Sequence, residues 1–284
     1  MTLRETDLIV NADGSIYHLH LRPGEVAEKI ILVGDPGRVA RVSRHFDHID
    51  HKSHNREFIT HTGICSGKRI SVMSTGIGTD NIEIALIELD ALFNIDLQTR
   101  EVRRESTSLE LVRIGTSGGI QADIPVGILL AAGTGLGFDN LMNYYTLPQN
   151  EEDLALTSAI QRQCTLGHQP YLARASQQLL ERIAYDMYVG NTATTPGFYA
   201  PQGRLVRTGV RNPSILKALE EFDYNGFRLS NFEMETSAIY ALSTLLGHQA
   251  LSVNVVLANR PAGKFSHSAY APMDDAIARV LERI

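Results

Sequence analysis

Apolar runs short enough for buried strands alternate along this chain with stretches whose apolar residues recur at helical spacing. Residues 29–33, Lys-Ile-Ile-Leu-Val, read as a strand buried on both faces, broken at Gly34-Asp35-Pro36-Gly37-Arg38. A short helix follows over 38–46. Residues 55–64 and 68–74 form a predicted hairpin with its turn at Ser66-Gly67. The second of these strands ends in Ser74-Thr75-Gly76-Ile77-Gly78-Thr79. Asp80 or Asn81 then caps a helix over 82–93. Residues 94–110 are charged and polar and read as an excursion or two-stranded flap. A central strand over 109–114 runs into Arg113-Ile114-Gly115-Thr116-Ser117-Gly118-Gly119.

The pattern continues with a strand at 126–132, a Gly/Asn/Tyr loop at 133–150, and helical spacing over 151–166 and 171–184. A short strand at 185–189 precedes a loop at 190–203, and Pro213 opens a helix that runs to Phe222. Asn231-Phe232-Glu233-Met234-Glu235-Thr236 leads into a helix ending near Gly247. Residues 251–258 form an almost wholly apolar strand, and an amphipathic helix over 273–283 follows. Strands and helices alternate without a Pro/Gly/Ser-rich linker or an internal repeat. The expected fold is therefore one α/β domain spanning 1–284, a three-layer α/β/α arrangement around a mixed central sheet.

Composition narrows the function classes. With 284 residues, 43% apolar and 20% charged, the chain has ample material for a core. A net charge of −6 gives no support for nucleic-acid binding, so an anionic ligand needs a local arginine cluster. Two cysteines, Cys65 and Cys164, form neither a disulfide framework nor a metal motif, which fits a cytoplasmic protein. The N-terminus lacks a signal-peptide core, and no stretch approaches the roughly 18 apolar residues of a membrane span.

Three strand ends carry glycine-rich turns: Gly34–Arg38, Gly76–Gly78 and Gly115–Gly119. Side by side at the carboxyl edge of one sheet they would make one crevice, the usual ligand position in α/β folds. Arg38 and Arg113 would then aim two guanidinium groups into it beside the Thr116 hydroxyl and exposed backbone N–H groups, a combination suited to phosphate. The turns match neither a P-loop nor the dinucleotide fingerprint, since Asn81 stands where the third glycine would be. Glu233 and Glu235 flank Met234 at a strand-to-helix junction, where at most one is expected in the crevice as a ribose-hydroxyl acceptor; a helix-start acidic pair is the plainer alternative. Gln202-Gly203-Arg204 after Phe198 offers an amide and a guanidinium for the edge of a flat heterocycle while the ring stacks. An ordinary loop is the competing reading. His45, His48, His51 and His54 recur every three residues, but interleaved Asp and Lys make them a solvated face rather than a metal site. His18 reads as a turn residue on composition alone.

Gly34-Asp35-Pro36-Gly37-Arg38, Asn55-Arg56-Glu57-Phe58, Ser74-Thr75-Gly76-Ile77-Gly78, Arg113-Ile114-Gly115-Thr116 and Asn231-Phe232-Glu233-Met234-Glu235 occur in the order of the nucleoside phosphorylase family (NP-I, the trimer-of-dimers type). The resemblance runs from about Tyr17 to Arg260. It implies that Gly34, Arg38, Arg113 and Thr116 bind phosphate, with Arg56 donated by a neighbouring subunit. It implies that Thr116, Met234 and Glu235 hold the ribose, with His18 from the neighbour. The loop carrying Phe198, Gln202 and Arg204 resembles that of the family's uridine-specific members, so these residues would bind a uracil, with Arg260 close by. Arg38, Arg113, Glu235 and Arg204 would carry the catalysis. Purine-specific relatives place an Asp after the late apolar strand; here it runs into Asn259-Arg260, which favours a pyrimidine.

The implied reaction is reversible phosphorolysis of uridine to uracil and ribose 1-phosphate, with deoxyuridine or thymidine left open as further substrates, inorganic phosphate as co-substrate and no cofactor. The implied assembly is a homo-oligomer, at least a dimer, with a hexamer (trimer of dimers) also open, and with neither nucleic acid nor membrane as partner. The 94–110 excursion is longer than in the usual bacterial enzymes, so subunit packing would differ. Asn81 replaces a Ser that some relatives place at an interface cation site, so no metal is expected. The rival readings are a purine nucleoside phosphorylase or a water-using nucleosidase on the same fold, and a non-catalytic nucleoside-binding or storage protein.

Overall fold

A computed structural model describes residues 2–266 and 270–284. Eleven strands form one mixed sheet: β1 (Lys29–Val33), β2 (His48–Asn55), β3 (Phe58–Cys65), β4 (Lys68–Ser74), β5 (Glu110–Gly119), β6 (Leu129–Gly137), β7 (Tyr171–Arg174), β8 (Tyr188–Thr194), β9 (Asn231–Glu233), β10 (Gln249–Asn259) and β11 (Lys264–Phe265). Strand β1 lies parallel to both neighbours, pairing Ile30 with Ser71 of β4 and with Leu111 of β5. The carboxyl ends of β5, β1 and β4 therefore stand in a row, and the three glycine-rich turns are brought together as expected. On the other side β5 runs parallel to β10, β10 antiparallel to β6, β6 parallel to β8, β8 parallel to β9, and β9 returns antiparallel to β5. Five strands thus close on themselves into a small barrel at one side of the sheet.

Alternation along the inner strands explains the layers. Ile30 and Leu32 of β1 pack on one face against α2 (Thr79–Asn94) and α6 (Thr236–Leu246), through Ile82, Leu86, Leu89, Ile239 and Leu242. Ile31 and Val33 face the other way, with Val39 and Val42 of α1 (Pro36–Ser43), Leu179 and Ile183 of α4 (Gln177–Ile183), and Ile277 and Val280 of α7 (Tyr270–Arg283). Each such buried side chain contributes on the order of 1.5–3 kcal/mol of hydrophobic burial. A third cluster joins α3 (Glu151–Gln163) and α5 (Ile215–Glu220) to the barrel through Leu156, Ile160, Leu219 and Phe232.

Several elements differ from the sequence expectation. Residues 171–174 are a strand rather than the start of a helix: Tyr171, Leu172 and Ala173 are buried and pair with Gly135–Gly137 of β6, and α4 begins only after Ser176, whose hydroxyl caps it. The expected loop at 133–150 opens with four more residues of strand beyond 133. Glycines belong there because a Cβ on Gly137 would lie 2.2 Å from the Tyr171 ring, and one on Gly135 would lie 2.9 Å from Ser237 Cα of α6. Strand β8 extends to Thr194, shortening the expected loop at 190–203. The polar run His48–Asn55 is an edge strand whose side chains alternate between exposed and half-buried, a period-2 signal masked by its histidines. His48, His51 and His54 on it have separate partners in Asp50, Glu25 and the Arg56 carbonyl. Neither Asp80 nor Asn81 caps α2; its N-cap is Gly78, and Asn81 instead donates to Glu57 Oε1 at 3.0 Å. Within 94–110, Ile95–Asp96 pairs antiparallel with Glu101–Val102, a minimal version of the expected flap.

Candidate active site

The three turns and the open end of the barrel enclose a cavity of ≈ 930 Å³. Gly34, Arg38, Arg113, Thr116, Phe198, Gln202, Arg204, Met234 and Glu235 all line it. Those nine come from four separate stretches of sequence.

One pole is cationic. Asp35 caps α1 by accepting from Gly37 N–H at 2.9 Å, and Pro36 sets its first turn, which fixes where Arg38 leaves the helix. The Arg38 guanidinium reaches across to donate to the Ile114 carbonyl at 3.1 Å and makes no ion pair among the described residues. Burial and the nearby Arg113 charge push it below its ordinary value. Asp35 and Glu235 offset this only in part, and a desolvated cation with no carboxylate in contact favours an anion beside it.

Arg113 is placed differently. It is buried and donates to Asn254 Oδ1 at 2.8 Å and to Glu235 Oε2, with Glu233 3.6 Å away. Burial lowers its affinity for a proton, and the two carboxylates more than reverse that, so it stays charged above its ordinary value. Gly115 makes this fold-back possible: a Cβ there would sit 1.8 Å from Arg113 Nη1. Glu235 also accepts from Gly78 N–H at 2.8 Å, and Gly78, with φ of 97°, is in a backbone region suited to glycine. Glu235 thus ties the β4 turn to the β5 strand end, with Arg113 as its counter-ion.

Both acidic residues of the pair line the cavity, which corrects the expectation that at most one would. The physical reason is that residues two apart on extended backbone share a face, and Glu235 follows Glu233 directly where β9 gives way to α6. Glu233 plays the plainer part as well. It accepts from Glu235 N–H at 2.9 Å, Thr236 N–H at 2.9 Å and Thr194 Oγ1 at 2.7 Å, capping α6 from within. Burial raises its carboxyl above the usual range against the opposing pull of Arg113.

The opposite pole is aromatic and amide-bearing. Arg204 lies 3.6 Å over the Phe198 ring centroid, and its Nη1 donates to Gln202 Oε1 at 2.6 Å. Burial, then the charge of Arg260, push Arg204 below its ordinary value.

Three expected site residues do not line this cavity. Arg260 instead donates to the Gln202 and Gly203 carbonyls at 3.2 and 3.4 Å and braces the loop from behind. His18 and Arg56 lie elsewhere on the surface, together: Arg56 sits 5.9 Å from the Tyr17 ring, and Asn55 donates to the His18 carbonyl at 2.8 Å. His18 Nδ1 meets buried Glu88 Oε1 at 2.6 Å. Residues that sequence reasoning missed include Ser117, Phe232 and Phe265. The Ser117 hydroxyl is buried without a hydrogen-bond partner among the described residues. Its place one residue beyond Thr116, in the same glycine-rich strand end, was the available signal.

Comparison with known proteins fits this geometry. The Phosphorylase superfamily model matches residues 28–284. The chain belongs to that family. A uridine phosphorylase of Thermococcus kodakarensis is 33% identical over 89% of this chain and 80% of its own length. A DeoD-type purine nucleoside phosphorylase of Oceanobacillus iheyensis is 29% identical over 84% of this chain and 85% of its own. The crystal structure of a Trypanosoma brucei nucleoside phosphorylase, described as showing uridine phosphorylase activity, superposes with a TM-score of 0.87 at 30% identity, covering 97% of each chain. Members of both substrate types are therefore similar to this phosphorylase-family chain. Among the described residues no helix is long and apolar enough to cross a membrane.

Proposed function

We propose that the chain is a pentosyltransferase that cleaves uridine with inorganic phosphate, reversibly, to uracil and ribose 1-phosphate; deoxyuridine and thymidine are further candidate substrates. The observation that carries this reading is the pairing, across one cavity, of an unpaired cation at Arg38 with the amide–guanidinium–phenyl set of Gln202, Arg204 and Phe198.

In this scheme phosphate lies between Arg38, the Gly34 backbone, Thr116 and Arg113, and Arg56 of a neighbouring copy completes its neutralisation. Glu235 and Met234 hold the ribose, with His18 from the neighbour. The clustering of Tyr17, His18 and Arg56 outside the chain's own cavity supports a shared site and hence at least a dimer. Phosphate oxygen attacks C1′ as the C1′–N1 bond breaks. Positive charge grows on the sugar, as in glycoside cleavage, and the electron pair leaves with the base. Arg204 and Gln202 donate to the uracil oxygens as that charge grows, which is selective binding of the transition state. No cofactor and no covalent enzyme intermediate enter the scheme. Free Cys65 and Cys164 are consistent with a cytoplasmic site of action.

Preference for a pyrimidine draws on Asn259. Its amide donates to the Gln121 and Ile124 carbonyls at 2.8 and 2.7 Å and accepts from Ala262 N–H at 2.8 Å. The position after the late apolar strand is thus turned away from the cavity and offers no acid to a purine ring. A water-using nucleosidase would leave the uncompensated Arg38 without a purpose.

Arg204→Ala tests the base assignment. We expect kcat/KM for uridine to fall at least about thirtyfold, roughly 2 kcal/mol, with the phosphate KM little changed. A fall of less than about twofold would remove Arg204 from the base site.

A further inference from the structure

Gln202 is nine-tenths buried or more, and its amide is held at both ends. At one end Arg204 Nη1 approaches to 2.6 Å; a guanidinium cannot accept, so the amide atom facing it is the oxygen. At the other end the amide nitrogen donates to Thr195 Oγ1 at 2.9 Å. Thr195 is fully buried, and its hydroxyl faces two carbonyls, Gly197 O at 3.1 Å and Glu233 O at 3.2 Å. The hydroxyl proton is committed to one of these, so toward Gln202 the oxygen can only accept. Its backbone N–H is pinned to the Glu233 carbonyl at 2.9 Å, which joins it to β9. Of the two anchors only Thr195 stands outside the cavity wall, so a ligand entering the cavity meets Arg204 and not Thr195.

We infer that Thr195 is a specificity-determining positioning residue that fixes the amide orientation of Gln202; this rests on the uridine reading above. With the amide fixed, the pocket offers donor, acceptor, donor in sequence: Arg204 N–H, Gln202 Oε1 and the second Gln202 N–H. The complement is acceptor, donor, acceptor, which is the O4, N3–H, O2 edge of uracil and thymine. Cytosine presents an amine, an unprotonated N3 and O2. Its N3 lone pair would meet Oε1 and its amine would meet the guanidinium, two repulsive contacts. A site built to hydrogen-bond one edge rejects the other because its own groups are left unpaired. Without Thr195 the buried amide nitrogen loses its partner, and the soft terminal torsion of Gln lets the amide turn over.

The test compares Thr195→Val, Thr195→Ala and Thr195→Ser with the wild-type protein. The readouts are kcat/KM for uridine, phosphate KM, and inhibition constants for uracil and cytosine. In the Val and Ala variants we expect kcat/KM for uridine to fall about tenfold and the uracil-over-cytosine preference to shrink about tenfold, with phosphate KM within about twofold. Thr195→Ser, which keeps the hydroxyl, should restore both to within about threefold. An unchanged uracil-over-cytosine preference in both variants, or a phosphate KM that rises as much as that for uridine, would overturn the inference while leaving uridine phosphorolysis intact. Wild-type protein unable to release uracil from uridine would overturn both.

Discussion

Glu235→Gln should lower kcat/KM for uridine by about a hundredfold or more, about 2.7 kcal/mol, with the larger part in kcat. The substitution is nearly isosteric, so the cavity keeps its shape. What changes is charge. Glu235 is the partner of buried Arg113 and accepts from Gly78 N–H, so one carboxylate fixes two of the three turns. Removing its charge leaves Arg113 with Glu233 at 3.6 Å, and breaking a buried pair by removing one partner typically costs about 3–5 kcal/mol of stability. A lower Tm should therefore accompany the loss of rate. The ribose-binding role and the structural role separate in the kinetics: Thr236 and the rest of α6 are capped by Glu233, which is untouched, so the folded fraction should retain a normal uracil inhibition constant. Activity within about threefold of wild type would remove Glu235 from the reacting centre.

Arg38→Met should behave in the opposite way toward stability. Phosphate KM is expected to rise at least about thirtyfold, while Tm stays level or increases. Arg38 holds only the Ile114 carbonyl and is pushed below its ordinary value by burial and by Arg113, so folding gains little from its charge. Methionine keeps the length of the stem without that desolvation. A cation that burdens the fold while facing a cavity is what a stored binding energy for an anion looks like. Steady-state kinetics against phosphate, with a thermal melt at matched ionic strength, reads both quantities. Loss of stability without a change in phosphate KM would make Arg38 a structural residue.

Much of this site was legible because strand ends announce themselves. Lys-Ile-Ile-Leu-Val running into Gly-Asp-Pro-Gly-Arg, and Glu-Leu-Val-Arg-Ile into Gly-Thr-Ser-Gly-Gly, mark strands whose carboxyl ends must meet a ligand or a turn. The parallel register of β4, β1 and β5 then turns three local signals into one crevice. Long-range partners were not legible. Nothing near Arg113 in sequence indicates that its charge is answered by Glu235, 122 residues on, or that Gly115 is glycine to make room for the guanidinium. The barrel was hidden for a related reason. Its strand β6 is interrupted by Gly133, Gly135 and Gly137, which local propensity reads as loop; Gly137 makes room for Tyr171, Gly135 for α6, and Gly133 lies against Val189 of β8. Strand β2 was hidden by its histidines, since an edge strand half in solvent tolerates polar residues that a central strand would not.

The roles proposed for Arg38, Gln202 and Arg204 all depend on phosphorolysis of a pyrimidine nucleoside. The measurement that tests it most directly is uracil release from uridine, followed by ultraviolet absorbance with and without inorganic phosphate, with inosine run in parallel. Uracil is expected only when phosphate is present, with little or no hypoxanthine from inosine. Uracil released equally well without phosphate, or turnover of inosine in place of uridine, would contradict it.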